Sequence, residues 1–545
     1  MNFKCTCIFI LFLYLLTGCT EKQSADVVFF HAKVFTVDSL NTEVDAFAVK
    51  DGKFIAIGNT HDILSKYNAK EKVDLDGKFV YPGFIDAHSH FYGLGQTLQT
   101  VDLVGTKSWN EVVERCKIFY QKNKGEYLLG RGWDQNDWIQ KDFPVNDELN
   151  KLFPDIPVLL KRVDGHASIA NDYLLKHSGI TLTTKIEGGE ILLSNKKMTG
   201  VLIDNAVDIV KKMMPEISTA DKIKSLIDAQ KKCFENGLTT VCDAGLDKQM
   251  IELIDSLQKV GLLQIRSYAM INATDENLDY YLNKPCYKTD QLTIRSFKMY
   301  CDGALGSRGA CLLNSYSDMK DHVGFLLTPK NKMEEYVKRI SKSNYQLNTH
   351  CIGDSANRII LNLYAKYLKG KNDKRWRIEH AQVMNQNDFS FYNSYNIIPS
   401  VQPTHATSDM YWAKDRLGNE RLKYAYAYKN LLQQNGWLPL GTDFPVEDVN
   451  PLFTFYSAVA RKDDKDFPPE GFQMENALSR EEALRGITIW PAKAAFEENE
   501  KGSIAHGKFA DFILLDANLM KDDLMKIRNT KVIATYVNGK SVYAH

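Results

Sequence analysis

Between residues 84 and 441, short apolar runs of strand length alternate with segments of helical period, and this alternation restricts the fold more than any other feature. The runs fall at 84–90, 237–242, 263–270, 293–300, 346–350, 377–380, 397–402 and 438–441. Strand then helix, repeated, makes parallel βα units, and eight such units close a (β/α)8 barrel. The expected fold is therefore α/β, a TIM barrel spanning 84–494. A barrel of this kind takes about 250 residues, so the surplus at about 91–204 reads as a long insertion after the first barrel strand. A segment that leaves the C-terminal end of a barrel strand is placed to roof an active site there. Both ends of the chain have a different texture. Val27-Val28-Phe29-Phe30, Phe47-Ala48-Val49 and Phe54-Ile55-Ala56-Ile57 on one side, and Phe512-Ile513-Leu514-Leu515 and Val532-Ile533-Ala534-Thr535-Tyr536-Val537 on the other, are β-type runs. Asp51-Gly52, Asp76-Gly77 and Asn538-Gly539 punctuate them as hairpin signals.

Charge excludes one class of partner. Lys plus Arg and Asp plus Glu both number 68, which argues against nucleic acid, whose phosphates demand many cations. The first residues read as a leader: Lys4, an apolar run over 5–16, then Leu16-Thr17-Gly18-Cys19. The run is shorter than the ~20 residues of a spanning helix, so 1–18 reads as a signal peptide. The cut before Cys19 resembles the lipobox of bacterial lipoproteins. Cys19 would then carry the lipid, and the expected location is exported and membrane-anchored, on the periplasmic or outer-membrane face. Removing Lys4 leaves 67 basic against 68 acidic residues, so lipid, and not a polybasic patch, would hold the membrane. Seven cysteines remain, an odd number without a C-x-x-C pair, which signals neither a disulfide framework nor a Cys-rich zinc site.

The chemistry concentrates at the strand ends. In Ile85-Asp86-Ala87-His88-Ser89-His90 the two histidines are two apart on a strand, so they project to one side and can share a metal ion. His350, His380 and Asp443 each close a further predicted strand. The first, fifth, sixth and eighth strands thus bring five potential ligands to one rim. Lys298, near the end of the fourth strand, is expected at the same rim. There it should be deprotonated, paired with an acid such as Asp302, or carboxylated by carbon dioxide.

These residues sit in motifs that resemble the amidohydrolase superfamily, and within it the YtcJ-like metal-dependent hydrolases (amidohydrolase family 3) that include N-substituted formamide deformylases. The motifs are Pro82-Gly83-Phe84-Ile85-Asp86-Ala87-His88-Ser89-His90, Lys298-Met299-Tyr300-Cys301-Asp302-Gly303-Ala304-Leu305-Gly306-Ser307-Arg308-Gly309-Ala310, Gly441-Thr442-Asp443-Phe444-Pro445-Val446 and Gly502-Ser503-Ile504-Ala505-His506-Gly507-Lys508-Phe509-Ala510-Asp511. The resemblance implies that the β segments of the two ends, 25–83 and 495–545, form one composite β-sandwich. It also implies that His88, His90, His350, His380 and Asp443 bind metal, with Lys298 as a carboxylated bridge. The insertion carries Gly130-Arg131-Gly132-Trp133-Asp134, Asp164-Gly165-His166, Gly188-Gly189-Glu190 and Thr199-Gly200-Val201-Leu202 as further matches. His166 is a candidate donor to a substrate carbonyl or oxyanion, with capping of loop backbone as the alternative. Trp133 and Tyr411-Trp412 are candidates to line a pocket or to pack in a core. Arg308 either binds a substrate carboxylate or pairs with a loop acid, and His405 lies close to the rim.

The expected chemistry is hydrolysis of a non-peptide C–N bond, an amide or N-acyl or N-formyl group of a small molecule. One or two divalent ions, zinc by default and manganese, iron or cobalt otherwise, would generate hydroxide near neutral pH, with Asp443 as proton shuttle. A deaminase or isomerase on the same scaffold is the alternative enzyme, and a ligand-binding lipoprotein the alternative without catalysis. The expected partners are a small-molecule substrate and a membrane, with room for a homodimer.

Overall fold

The computed structural model of the protein describes residues 22–39 and 42–545. The leader and Cys19 lie outside the described residues.

Seven parallel strands follow one another round the barrel: Phe84–Ser89, Leu238–Leu246, Arg266–Asn272, Leu292–Tyr300, Gln346–Cys351, Arg377–His380 and Ile398–Ser400. The eighth position is held by segment 438–441, reduced to a single bridge between Leu440 and Val401. It still closes the ring, because Gly441 N donates to Val401 O at 3.0 Å and Ala87 N donates to Leu440 O at 3.2 Å. Glycine is required at this seam: a Cβ on Gly441 would lie 2.6 Å from His88 N and 2.9 Å from Asp86 Oδ1. Every residue of Phe84–Ser89 is buried, as a strand with the barrel interior on one face and helices on the other must be.

The insertion is a layer with its own core. After the helix Phe91–Thr97 the chain builds a six-stranded sheet in the order Gly189–Ser194, Lys197–Asp204, Ala167–Ala170, Val158–Arg162, Leu128–Trp133, Val101–Asp102. The helix Trp109–Lys122 starts where the Ser108 side chain accepts from Glu111 N, an N-cap that satisfies one otherwise orphaned donor. Its buried Val112, Val113 and Cys116 pack with Leu128, Val158 and Leu160 of the sheet. Burying a side chain of that size contributes roughly 1.5–3 kcal/mol.

The two ends of the chain meet as the resemblance implies. One sheet has the order Lys53–Gly58, Ala46–Lys50, Gln23–Phe30, Tyr67–Asp74, and the other Lys540–Ala544, Val532–Val537, Phe512–Leu515, Phe79–Pro82, Lys33–Phe35, Glu43–Val44. Phe79–Pro82 pairs antiparallel with Phe512–Leu515, and Phe29, Phe47, Phe54 and Phe512 fill the space between the sheets. Asp51-Gly52 and Asn538-Gly539 are tight hairpin turns with positive φ at both residues. Asp76-Gly77 also has positive φ at both but is not a hairpin. It carries the chain from Tyr67–Asp74 in one sheet to Phe79–Pro82 in the other, a difference that turn chemistry alone does not encode. The seven cysteines are free, and Cys116, Cys233, Cys242, Cys301 and Cys351 are buried.

Candidate metal centre

The barrel rim gathers the histidines and fixes three of them through the far nitrogen. His88 Nδ1 donates to Glu379 Oε2 at 2.7 Å, with both side chains fully buried. His90 Nδ1 donates to Ala244 O at 3.0 Å, and His380 Nδ1 donates to Gln402 Oε1 at 2.8 Å. A proton held on Nδ1 leaves Nε2 as a bare lone pair, and these Nε2 atoms face the rim. Burial pushes the His90 pKa down to about 4 and holds His350 and His380 well below the ordinary range, so all three are neutral at pH 7. A neutral imidazole with a bare nitrogen is the ligand form.

Asp443 stands at the centre. Its Oδ1 is 3.2 Å from His90 Nε2 and 3.5 Å from His88 Nε2, and its Oδ2 is 3.6 Å from His405 Nε2. Burial alone would raise its pKa, but a proton shared from His90 and the charge of His88 and His380 when they are protonated pull it well below the usual carboxylate range. The backbone is bent to place it: Asp443 has φ 61° and His380 has φ 72°, left-handed conformations that cost a non-glycine residue about 1–3 kcal/mol and collect at functional sites. Asp443 N donates to His88 O at 2.8 Å, and Thr442 Oγ1 donates to Asp86 Oδ2 at 2.7 Å. The eighth segment is thereby tied to the first strand just below the rim.

Two sets of donors lie close enough to share a cation: His88, His90 and Asp443, and His380, His405 and Asp443, each with its ligand atoms within 4.8 Å of one another. The buried atoms His350 Nε2, His405 Nε2 and Asp443 Oδ1 have no hydrogen-bond partner. Buried lone pairs without donors are costly, and imidazole with carboxylate is a set that divalent transition ions satisfy. The residues therefore fit a divalent metal. His350 lies beside these sets and not within either, its ring 4.5 Å from that of His380.

Lys298 is fully buried, with Nζ 3.2 Å from His88 Nε2, and burial brings its pKa down to about 8. The Asp302 pairing is not formed, because the Asp302 carboxylate accepts from Cys311 N, Ile352 N and Gly353 N at 2.8, 3.0 and 2.8 Å.

A cavity of about 1390 Å³ opens above the rim, and residues of the insertion line it together with His350, His405 and Asp443. His166 comes down from the insertion, its ring 5.1 Å from that of His350. Its Nδ1 meets Asp204 Oδ1 at 2.5 Å, a side-chain partner in place of the loop backbone. Burial opposes its charge, but Asp204 outweighs burial and raises its pKa. Tyr411 and Trp412 also line the cavity.

Two candidates for substrate contact take the other role that the sequence left open to them. Trp133 is wholly buried in the core of the insertion, its indole N–H donating to Leu160 O at 2.8 Å. Arg308 is outside the cavity lining, its Nη2 donating to Asp318 Oδ2 at 2.9 Å. Sequence reasoning passed over Glu379, the acid that orients His88. It stands in Arg377-Ile378-Glu379-His380, and the available signal was an acid one residue before a candidate ligand on a fully buried strand.

A barrel with an imidazole and carboxylate cluster at its C-terminal rim defines a metal-dependent hydrolase scaffold. The sequence profile of the amidohydrolase family matches residues 71–543, and the chain belongs to that family. It is 32% identical over 541 residues to the protein LONG AFTER FAR-RED 3 of Arabidopsis thaliana, covering 95% of this chain and 92% of that one. It is 26% identical to the N-substituted formamide deformylase of Arthrobacter pascens, covering 95% and 98%. An uncharacterized metal-dependent hydrolase from Pyrococcus horikoshii OT3 superimposes with a TM-score of 0.75 at 26% identity, covering 91% of this chain and 99% of that one.

Proposed function

We propose that this amidohydrolase cleaves a non-peptide C–N bond, an amide or an N-acyl or N-formyl group, of a small molecule. One contact carries the reading. His90 Nε2 is bare because Nδ1 donates to Ala244 O, yet it faces the ionised Asp443 Oδ1 at 3.2 Å. Two lone pairs at that distance repel unless a proton or a metal cation lies between them, and burial disfavours the protonated imidazole. His88, His90, His380, His405 and Asp443 would hold the ion or ions, with His350 alongside and zinc as the proposed metal. When bound, such an ion supplies Lewis acidity, acidifying water and polarising a carbonyl.

The chain's own groups do the rest. Asp443 accepts the proton of the attacking water and returns it to the departing amine nitrogen. His166, protonated and braced by Asp204, donates to the substrate carbonyl oxygen as negative charge develops there. Residues of the insertion line the cavity above both groups. Lys298, with a pKa near 8 beside His88 Nε2, keeps a fraction of free amine that can take up carbon dioxide as a carbamate. The similarity to an N-substituted formamide deformylase supports the bond class.

The test is metal analysis together with turnover of a panel of N-formyl and N-acyl amines. We expect stoichiometric divalent metal, and release of amine and carboxylic acid that His88→Ala and Asp443→Asn abolish. Release of ammonia instead would assign a deaminase. Absence of turnover, with ligand binding unaffected by both substitutions, would assign a binding protein. An anomalous-scattering map of the rim identifies the metal and any density beyond Lys298 Nζ. Among the described residues no helix is long and apolar enough to cross a membrane. Export and lipidation at Cys19 form part of the proposal, and Cys19→Ser is expected to release the protein from the membrane fraction.

A further inference from the structure

Two arginines of the insertion, the buried Arg162 and the partly buried Arg131, are treated differently. Arg162 is answered on every side: Nε donates to Gln135 Oε1 at 2.9 Å, Nη1 to Asp164 Oδ2 at 2.6 Å, and Nη2 to Asp134 Oδ1. Arg131, on the strand Leu128–Trp133, lines the cavity and forms no ion pair among the described residues. Its one hydrogen bond runs from Nη2 to Val163 O at 3.0 Å, and its Nε is buried without a partner. The loop that ends in His166 is built flat against it. Gly165 takes φ +78°, so this loop residue is a glycine for its conformation, and a Cβ there would sit in ordinary contact with Nη2 and Nη1 at 3.4 and 3.5 Å. The guanidinium is thus held beside His166, whose ring reaches His350 on the floor.

Burial lowers the Arg131 pKa to about 10, and Asp443 and Asp164 favour its charge, so it is a cation at neutral pH. A partly buried cation that touches no acid directly gains from a carboxylate partner, and a guanidinium fork matches a carboxylate bidentately.

We propose that Arg131 binds a carboxylate of the substrate, which makes the substrate class N-acyl compounds carrying a carboxylate within a few bonds of the scissile C–N bond. This rests on the hydrolase reading above, with the reacting amide at the Asp443 rim and the anion under the roof.

The experiment compares N-formyl and N-acetyl amino acids of both hands with the same compounds capped as carboxamides. It measures kcat/KM and, separately, calorimetric binding to metal-loaded wild type, Arg131→Gln and Arg131→Lys, with thermal unfolding as the check on folding. The wild type is expected to favour carboxylates by about 100-fold or more. Arg131→Gln should lose that preference while changing the carboxamides less than about threefold, since only the fork's partner is affected. Arg131→Lys, with charge but no fork, should keep part of it and raise KM more than it lowers kcat. If Arg131→Gln does not fold, the Arg131→Lys values decide. Equal wild-type turnover of carboxylates and carboxamides, or a preference that survives Arg131→Gln, overturns the anion site and leaves the hydrolase reading intact. Carboxylates that bind the wild type but not Arg131→Gln, with no turnover of any compound, support the anion site and remove the hydrolase reading. No binding of any carboxylate removes the anion site.

Discussion

The barrel rim and the sheet that roofs it both bury charge, but they resolve it in opposite ways. In the roof, Arg162 is matched by Asp134 and Asp164, and His166 by Asp204. At the rim, three imidazoles are fixed through Nδ1, and Nε2 and carboxylate oxygens are left facing one another. Paired charge holds a surface in place, whereas charge left without a protein partner marks where the molecule takes up something from outside. Arg131 is the exception within the roof, and it looks into the same cavity.

The comparison breaks most visibly at Asp443. Asp443→Asn keeps the shape and removes the charge shared by both donor sets, and a loss of kcat on the order of 10⁴-fold is expected, read from steady-state kinetics alongside metal content. Next comes Arg162→Met, which strands Asp134 and Asp164 in the roof. It should cost about 3–5 kcal/mol in denaturant unfolding, far more than a rim substitution that removes a ligand.

A third test uses acid. Asp318 joins Arg308 to Arg416, and Arg416 also donates to Asn136 Oδ1 of the insertion at 2.9 Å. Burial would raise the Asp318 pKa, but Arg308 and Arg416 hold it below the ordinary value. A carboxylate lowered in the folded state contributes stability above its unfolded pKa of about 3.9 and loses it as pH falls through the lower folded value. The stability gap between wild type and Asp318→Asn should therefore be full at pH 6 and narrow below about pH 4. A gap independent of pH would show that the clamp is not electrostatic. The smallest effect is expected of Trp133→Phe, which forfeits the hydrogen bond to Leu160 O and some packing, about 1–2 kcal/mol. Unchanged kcat/KM would confirm that Trp133 belongs to the roof's core, and a clear rise in KM would return it to the cavity.

The barrel and its rim were legible because period-two strands dictate which residues share a face. His88 and His90 had to point the same way, and the apolar runs preceding His350, His380 and Asp443 marked them as strand ends. The eighth strand was legible only as a run, and in the fold it is a single bridge secured by Gly441. The insertion was not legible. Its sheet depends on pairings such as Ala167–Ala170 with Lys197–Asp204, and nothing local to Trp133 says which face of that sheet is core. Arg308 stayed open between substrate and loop acid for a related reason, since its partner Asp318 lies on a loop whose course no periodicity fixes. Glu379 was in view within its motif, but its role is defined by contact with a residue 291 positions away.

The seam of the composite β domain has a temporal consequence. Tyr81 donates to Ala517 O across 436 positions of sequence, so the Phe79–Pro82 strand cannot be covered by its neighbour until nearly all of the chain has been synthesised. At roughly 5–20 residues per second, that strand waits on the order of 20 to 90 seconds with an open edge. The last segment made completes the sheet that Lys33–Phe35 began, long after the sheet of Gln23–Phe30 has all its strands.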